Sequence, residues 1–178
     1  MCAAQSLTAA EIHAAVDRLV RAISERHRGD GKVILLGIAN GGITLARRLG
    51  ARLNWKHVGT LDISFHRDDI GRNPIPKEFA PTIIPGDVNG AVVLLVDDVL
   101  FSGRTAKAAL DELFDHGRPA RVELAVLIDR GSRKLPIAAD FVGLNLQVGD
   151  EEKINVILDP ARPANDVVHI TAKKSDAR

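Results

Sequence analysis

Hydrophobic positions in the first third of the chain change spacing twice, which predicts two helices around one strand. Thr8-Ala9-Ala10-Glu11 has the residues of a capping box, in which the Thr hydroxyl and the Glu carboxylate satisfy free amides at a helix start. Apolar residues follow at helical spacing as far as Gly29. The apolar run Val33–Ile38 then predicts a buried strand, and residues 43–53 predict a second helix.

The same alternation continues through the rest of the chain. Residues 58–65 alternate apolar with polar side chains, which predicts a strand covered on one face. Further elements are predicted at 91–96, a strand that ends at Asp97-Asp98; at 104–116, a helix that Gly117 ends; and at 122–128 and 153–158, two more strands. Strands that alternate with helices predict an α/β fold with a doubly wound parallel sheet.

Two segments depart from this periodicity. Residues 66–87 hold four prolines, mixed charge and little periodicity, and a loop of this length in a compact domain is usually functional or mobile. The polar tail after Pro160 is expected to be loosely ordered. With 178 residues, the chain is predicted to form one domain, 1–178, with its core at 8–158, a flap at 66–87 and a loose tail at 159–178.

The composition of the chain narrows the choice of fold class and of cellular location. Hydrophobic residues make up 46% of the chain and aromatic residues only 3%, so an aliphatic core is expected, which favours a parallel sheet between helices over a base-stacking platform. The net charge of +1 predicts neither nucleic-acid nor membrane binding. Cys2 is the single cysteine, which excludes an internal disulfide and a Cys-based zinc site. No signal peptide or membrane span is predicted, so we expect a cytoplasmic protein.

Candidate chemistry lies in residues 97–105. Open parallel sheets bind ligands beyond the carboxyl ends of their strands, where Asp97-Asp98 is predicted to lie. A Ser-Gly-Arg-Thr turn follows and opens a helix, whose free amides and positive dipole end suit a phosphate. Carboxylates that accept from ribose hydroxyls, next to a turn that holds a 5′-phosphate, indicate a ribose 5-phosphate ligand. An ordinary acidic helix cap is the simpler alternative, but it does not account for two adjacent Asp before this turn.

Other phosphate-binding classes fit the sequence less well. Gly37-x-Ala39-x-x-Gly42 follows a strand and precedes Asp62 at nearly the spacing of a dinucleotide-binding fingerprint, but Ala39 replaces the second glycine. That hypothesis also leaves residues 97–105 unexplained. An ATP-binding P-loop is excluded because no Gly-x-x-x-x-Gly-Lys-Ser/Thr motif occurs, and a receiver domain would need an acidic pair at the end of the first strand.

The motifs described above resemble those of one family. Residues 97–105 resemble the phosphoribosyl pyrophosphate (PRPP) signature of type I phosphoribosyltransferases. Residues 59–69, 116–121, 124–131, 135–137 and 140–143 resemble, in order, segments of the PyrR family of bifunctional pyrimidine operon regulators and uracil phosphoribosyltransferases. The resemblance extends over roughly residues 12–158, most of the chain.

This resemblance implies a type I phosphoribosyltransferase fold, with a parallel sheet of about five strands flanked by helices, a small hood over the base and a mobile flap. It implies an enzyme that converts uracil and PRPP to UMP and pyrophosphate, with Mg²⁺ bound to the donor. Members of the family are usually dimers or tetramers, so a homodimer or homotetramer is expected.

By the same resemblance, Asp97 and Asp98 hold the ribose hydroxyls, directly or through water on Mg²⁺. Arg67, at the start of the flap, supplies positive charge to the phosphates, or alternatively pairs with a neighbouring Asp. Arg130 and the backbone near Val142 lie on the base side, or belong to the scaffold. The phosphates are expected to contact two loops, formed by Ala39, Asn40, Gly41 and Gly42 and by Val99, Leu100, Phe101, Ser102, Gly103, Arg104 and Thr105.

Two departures from the family pattern leave alternatives open. The first loop reads Ala-Asn-Gly-Gly where the family has Lys-Thr-Arg-Gly, so pyrophosphate must bind to backbone amides and Asn40. A UMP sensor without catalysis and a transferase for another base therefore stay as alternatives. In the first helix, Arg18, Arg21 and Arg26 fall where family regulators carry RNA-binding residues, although a solvated helix face explains them too. Residues 145–152 have lost a family Arg and gained acid, which repels RNA phosphates. His66 replaces a family Tyr and receives no role.

Overall fold

A five-stranded parallel sheet forms the centre of the protein, for which a computed structural model describes residues 5–29, 32–64, 66 and 81–172. Its strand order is β3-β2-β4-β5-β6, and every neighbouring pair runs parallel. The strands are β2 (Val33–Ile38), β3 (Val58–Leu61), β4 (Val92–Leu100), β5 (Arg121–Asp129) and β6 (Phe141–Asn145), and the helices are α1 (Ala9–Arg26), α2 (Gly41–Leu53) and α3 (Arg104–Asp115). None of these helices is long and apolar enough to cross a membrane.

Helices cover both faces of this sheet. Because side chains alternate along a strand, Leu94 of β4 packs against α1 and α2, whereas Leu95 packs against α3. Helix α1 begins with the predicted capping box: the Thr8 amide donates to Glu11 Oε2 at 2.8 Å, and the Glu11 amide donates to Thr8 Oγ1. Burial on both faces explains why the strands are aliphatic throughout.

A second, smaller sheet is antiparallel and has the order β1-β8-β7. It joins β1 (Gln5–Leu7), β7 (Glu152–Ile157) and β8 (Val167–Ala172), and a 3-10 turn at Pro163–Asn165 precedes β8. The expectation of a loose tail after residue 159 is wrong as far as residue 172. Val168 and Ile170 alternate with exposed residues along β8 and are buried in the core that α1 shares, which fixes this strand.

Several boundaries also differ from the sequence-based prediction. Strand β4 continues to Leu100 because its pairing with β5 persists through Leu100↔Asp129, so the two Asp lie inside the strand and the predicted turn is shorter. Strand β3 ends at Leu61, the partner of the last residue of β2, so the predicted strand at 58–65 is too long. Helix α2 begins two residues earlier than predicted, at Gly41. Strand β6 was not predicted from periodicity.

Candidate active site

Asp97 and Asp98 lie near the carboxyl end of the central strand β4. Asp97 is 7% exposed, and its Oδ1 accepts the amide hydrogen of Asp98 at 3.0 Å. Burial raises the pKa of Asp97 well above its ordinary value, and the negative charge of Asp98 raises it further. Burial also raises the pKa of Asp98. Two adjacent carboxylates with raised pKa values, one buried and one half-buried, are typical of a site that binds a cation or hydroxyl donors.

The first predicted loop is formed by Ala39–Asn40 and the start of α2, and it packs directly against this acidic pair. The Ala39 amide donates to Leu61 O at 3.0 Å, and the Ala39–Asn40 peptide is cis. A methyl group on Gly41 would lie 2.4 Å from Asp98 Oδ2, and one on Gly42 would lie 1.9 Å from Val96 O. Glycines therefore allow this loop to approach the tip of β4 closely. The structure thus brings the first predicted loop and the acidic pair together.

A second loop, Phe101–Gly103, connects the acidic pair to helix α3. Gly103 has a φ of +91° and is buried, a backbone conformation that glycine adopts without steric cost. The Gly103 carbonyl accepts the Lys107 amide hydrogen at 2.9 Å, which is the first hydrogen bond of the helix. Amides earlier in the first turn are therefore without helical acceptors, and no acidic residue lies in that turn. This end of α3 suits an anion, as predicted from the Ser-Gly-Arg-Thr turn.

Arg133, which was not identified from the sequence, holds the second loop in place through hydrogen bonds. Its guanidinium donates to the carbonyl oxygens of Leu100 and Phe101 at 3.3 and 3.1 Å and to Ile137 O at 3.0 Å. It also pairs with Asp129 at the end of β5. Its only sequence signal was the i,i+4 spacing from Asp129, which is too common to single it out.

The two residues assigned to the base side occupy different surroundings. Arg130 is 4% exposed and its guanidinium carbon lies 4.1 Å from the centre of the Phe101 ring. It donates at 3.0 Å to the carbonyl oxygens of Gly149 and Glu152, and so links the second loop to the small sheet. Val142 pairs with Val126 within the main sheet, and its side chain packs in the core on the α3 side. Of these two residues, only Arg130 contacts the second loop, through the Phe101 ring.

The three arginines assigned to RNA binding have different surroundings. Arg18 donates to Gly143 O at 2.6 Å, while Arg26 lies 3.3 Å from Glu123 and from Asp140 and covers the Phe141 ring. Arg21 is exposed. Arg67 and most of the predicted flap lie outside the described residues.

Comparison with known proteins decides the family. The chain matches the phosphoribosyl transferase domain over residues 6–160. A Chloroflexus aurantiacus protein named bifunctional protein PyrR is 45% identical over 178 residues, which cover 97% of each chain. The chain belongs to the PyrR family. A Roseiflexus PyrR protein is 51% identical over 156 residues, which cover 84% of this chain and 85% of the relative.

A solved structure carries the same fold as this PyrR family member. The hypoxanthine phosphoribosyltransferase of Trypanosoma cruzi superimposes with a TM-score of 0.67 at 20% identity, over 93% of this chain and 95% of that one. The predicted type I phosphoribosyltransferase fold is confirmed. The family match and the fold also remove the dinucleotide-binding alternative.

Phosphoribosyltransferases generally use Mg²⁺ together with PRPP. Hard cations of this kind prefer oxygen ligands, and Mg²⁺ usually keeps several of its waters. The carboxylates of Asp97 and Asp98 supply such oxygens near the end of β4, beside the first predicted loop. Burial raises the pKa of both carboxyls, and the charge of Asp98 raises that of Asp97 further; a nearby cation would oppose both effects. The residues present therefore fit the ion.

Proposed function

We propose that this protein transfers the ribose 5-phosphate group of PRPP to uracil, which gives UMP and pyrophosphate. The observation that carries the proposal is the pair of the buried Asp97 and the half-buried Asp98 near the end of β4. Gly41 of the first predicted loop packs against Asp98, and the earliest amides of α3 have no acceptor within that helix. No described basic side chain neutralises this pair, so its charge is available to a ligand. The PyrR relatives support uracil as the base.

Each part of the site has one task in this reaction. Asp97 and Asp98 accept hydrogen bonds from the ribose hydroxyls, which fixes the sugar. The amides of the first turn of α3, with Ser102 and Thr105, hold the 5′-phosphate. The Ala39 amide is already engaged by Leu61 O, so the backbone amides of Asn40 and Gly41 and the Asn40 side chain hold the pyrophosphate. Departure of pyrophosphate builds positive charge on the ribose, and the nearby carboxylates stabilise that charge without rearranging.

Mg²⁺ would bind near Asp97 and Asp98, directly or through water, and supply positive charge to the pyrophosphate leaving group. Arg67 is assigned the same kind of task from the flap. Arg130 is assigned to the base side, where the small sheet β1-β8-β7 serves as the hood; the Val142 side chain packs in the core, so only its backbone remains a candidate there. Arg130 acts there as a positioning residue because each of its two terminal nitrogens donates to a backbone carbonyl, Glu152 O and Gly149 O.

Binding of a pyrimidine leader RNA is the second role that the family resemblance implies. The contacts of Arg18 and Arg26 within the fold favour a structural task for these two residues. A leader transcript titrated at several salt concentrations tests the role. Affinity that falls steeply with salt supports an RNA site, whereas weak binding with a flat salt response removes it.

Self-association is also part of the proposal, as a homodimer or homotetramer. Analytical ultracentrifugation across a range of protein concentrations tests it, and a single species of monomer mass would remove it.

The deciding experiment measures pyrophosphate release from PRPP with uracil, hypoxanthine, guanine or orotate, with and without Mg²⁺. Uracil-dependent, Mg²⁺-dependent release is expected. UMP binding in calorimetry without turnover on any base would instead support a nucleotide sensor. Turnover on a purine alone would keep the transferase and correct the base.

A further inference from the structure

A second cluster of ligating side chains lies away from the acidic pair, at the end of α3. His66 Nε2 lies 3.2 Å from Glu112 Oε2 and 3.4 Å from Asp115 Oδ2. One ligand atom from each of these three residues falls within 4.8 Å of the other two. Glu112 and Asp115 are three residues apart and so share one face of the helix. His66 comes from the chain just beyond β3.

The two spacings around His66 match those between neighbouring ligands in a zinc coordination sphere. Zn²⁺ binds nitrogen and carboxylate oxygen at about 2.0–2.2 Å, so neighbouring ligands of a tetrahedral ion are roughly 3.3–3.6 Å apart. The two contacts of His66, at 3.2 and 3.4 Å, fall at that separation. An imidazole with carboxylates is a donor set that suits zinc. The same distances also fit a charged His66 in two ion pairs, so the two explanations must be separated by experiment.

The surroundings of Glu112 favour the metal. Its other oxygen, Oε1, accepts the Thr82 hydroxyl hydrogen at 2.7 Å and lies 3.2 Å from His116 Nε2. Thr82 Oγ1 in turn accepts the Asp62 amide hydrogen at 2.9 Å. Carboxylates that bind metals are typically held by such outer hydrogen bonds, which orient the free oxygen. Here they leave Oε2 directed at His66 and Asp115.

We propose that His66, Glu112 and Asp115 form a zinc site, with water as the fourth ligand and His116 as a positioning residue for Glu112. The Asp115 side chain is 71% exposed, so ions can reach the cluster from solvent. Glu112 links helix α3 to His66 and, through its hydrogen bond with Thr82, to the chain after residue 80. The first turn of the same helix is assigned to the phosphate. It is separate from the Mg²⁺ site and takes no part in the chemical step.

Zinc binding can be tested without substrate. A Cys2→Ser background removes the single thiol of the chain, and metal-free protein is titrated with Zn²⁺ in competition with a chromogenic chelator. One saturable ion per chain is expected. His66→Gln and Asp115→Asn should each weaken the affinity by more than about 10-fold, and His116→Ala by about 10-fold. Zn²⁺ should also raise the Tm of the parent protein and not that of His66→Gln.

Two control variants locate the ion. His169→Gln removes an exposed histidine of β8, and Asp98→Asn alters the acidic pair; both should bind Zn²⁺ as the parent does. Unchanged affinity in His66→Gln and Asp115→Asn, or no saturable binding by the parent, overturns the proposal and leaves an ion-pair cluster. Loss of binding only in Asp98→Asn would overturn it as well, since the ion would then lie at the end of β4. Circular dichroism checks that each variant is folded.

Discussion

Three buried carboxylates of this protein, Asp97, Glu123 and Asp166, lie in two kinds of surroundings. Asp166 accepts from Arg48, at 2.9 Å for one oxygen, and from the Asp159 amide at 2.9 Å. Glu123 lies 2.7 Å from His27 Nε2 and 3.3 Å from Arg26. Asp97, by contrast, has another carboxylate as its neighbour and no ion pair to a described basic residue. The first two carboxylates are neutralised within the fold, and the third is not.

This difference separates groups that hold the fold together from groups that are held ready for a ligand. Removing one partner of a buried ion pair leaves an uncompensated charge, so pairs such as Arg48–Asp166 contribute to folding specificity and stability. An unneutralised pair of like charges costs stability in the free protein. Such a cost is expected where function requires the charge, because binding a ligand offsets it. The comparison predicts opposite outcomes for similar substitutions in the two places.

The largest expected effect is on catalysis, from Asp98→Asn. The side chain keeps its size but loses the charge that faces the ribose, so kcat/KM should fall by about 10²–10³-fold. Pyrophosphate release measures it. Asp111→Asn, on the exposed face of α3, is the matched control and should keep parental kinetics. Parental activity in Asp98→Asn would remove the acidic pair from the mechanism.

On the other side of the comparison, Asp166→Ala should reduce stability. It leaves the Arg48 guanidinium, whose side chain is 15% exposed, without its carboxylate, and the free energy of unfolding should fall by about 3 kcal/mol. Urea denaturation measures this change. Asp17→Asn breaks the exposed pair with Arg52 and should cost less than about 1 kcal/mol. Equal losses in the two variants would contradict the assignment of Arg48–Asp166 to the scaffold.

The first loop offers a sharper test of how the acidic pair is positioned. The methyl group of Gly41→Ala meets the Asp98 carboxylate, which can rotate away. The binding of PRPP should therefore weaken, while the protein stays folded. We expect the KM for PRPP to rise by about 10-fold, as for loss of one hydrogen bond to a charged group. Gly50→Ala, on the buried face of α2, is the control: its methyl meets the Val58 side chain, so it should affect stability and leave the KM unchanged.

The sequence predicted the parts of the fold that have a strong local pattern. The boundaries of β2 agree with the apolar run, and the capping box of α1 is present, because both depend on residues close together in the chain. Strands β6 and β8 are short, and β8 has only two buried residues, so their patterns are weak. They form because other strands pair with them: β5 pairs with β6, while β7 and the N-terminal β1 pair with β8.

The site shows the same limit. The acidic pair and the glycine turn are adjacent in the chain, and their chemistry could be inferred before the structure. The contact of Gly41 with Asp98 joins the first predicted loop to strand β4, and the Arg133 contacts join the chain just after β5 to the end of β4. Such contacts depend on the register of the sheet, which periodicity does not give. The neutralised pair Arg48–Asp166 spans 118 residues and could not be distinguished from surface charge in the sequence.

The smallest expected effect is a gain of stability in Asp97→Asn, and it tests the comparison most directly. Asparagine keeps an oxygen for the Asp98 amide but removes a buried charge, so the free energy of unfolding at neutral pH should rise by about 1 kcal/mol.

The pKa of Asp97 is raised by folding, so the folded protein binds its proton more tightly than the unfolded chain does. Parental stability therefore falls as pH rises from about the ordinary carboxyl pKa of 3.8 through the raised value. The advantage of Asp97→Asn should be full above that window and shrink as pH falls through it, measured by urea denaturation across pH. A loss of stability at neutral pH, like that expected for Asp166→Ala, would mean that Asp97 is already neutralised within the fold, and the contrast between the two kinds of carboxylate would not hold.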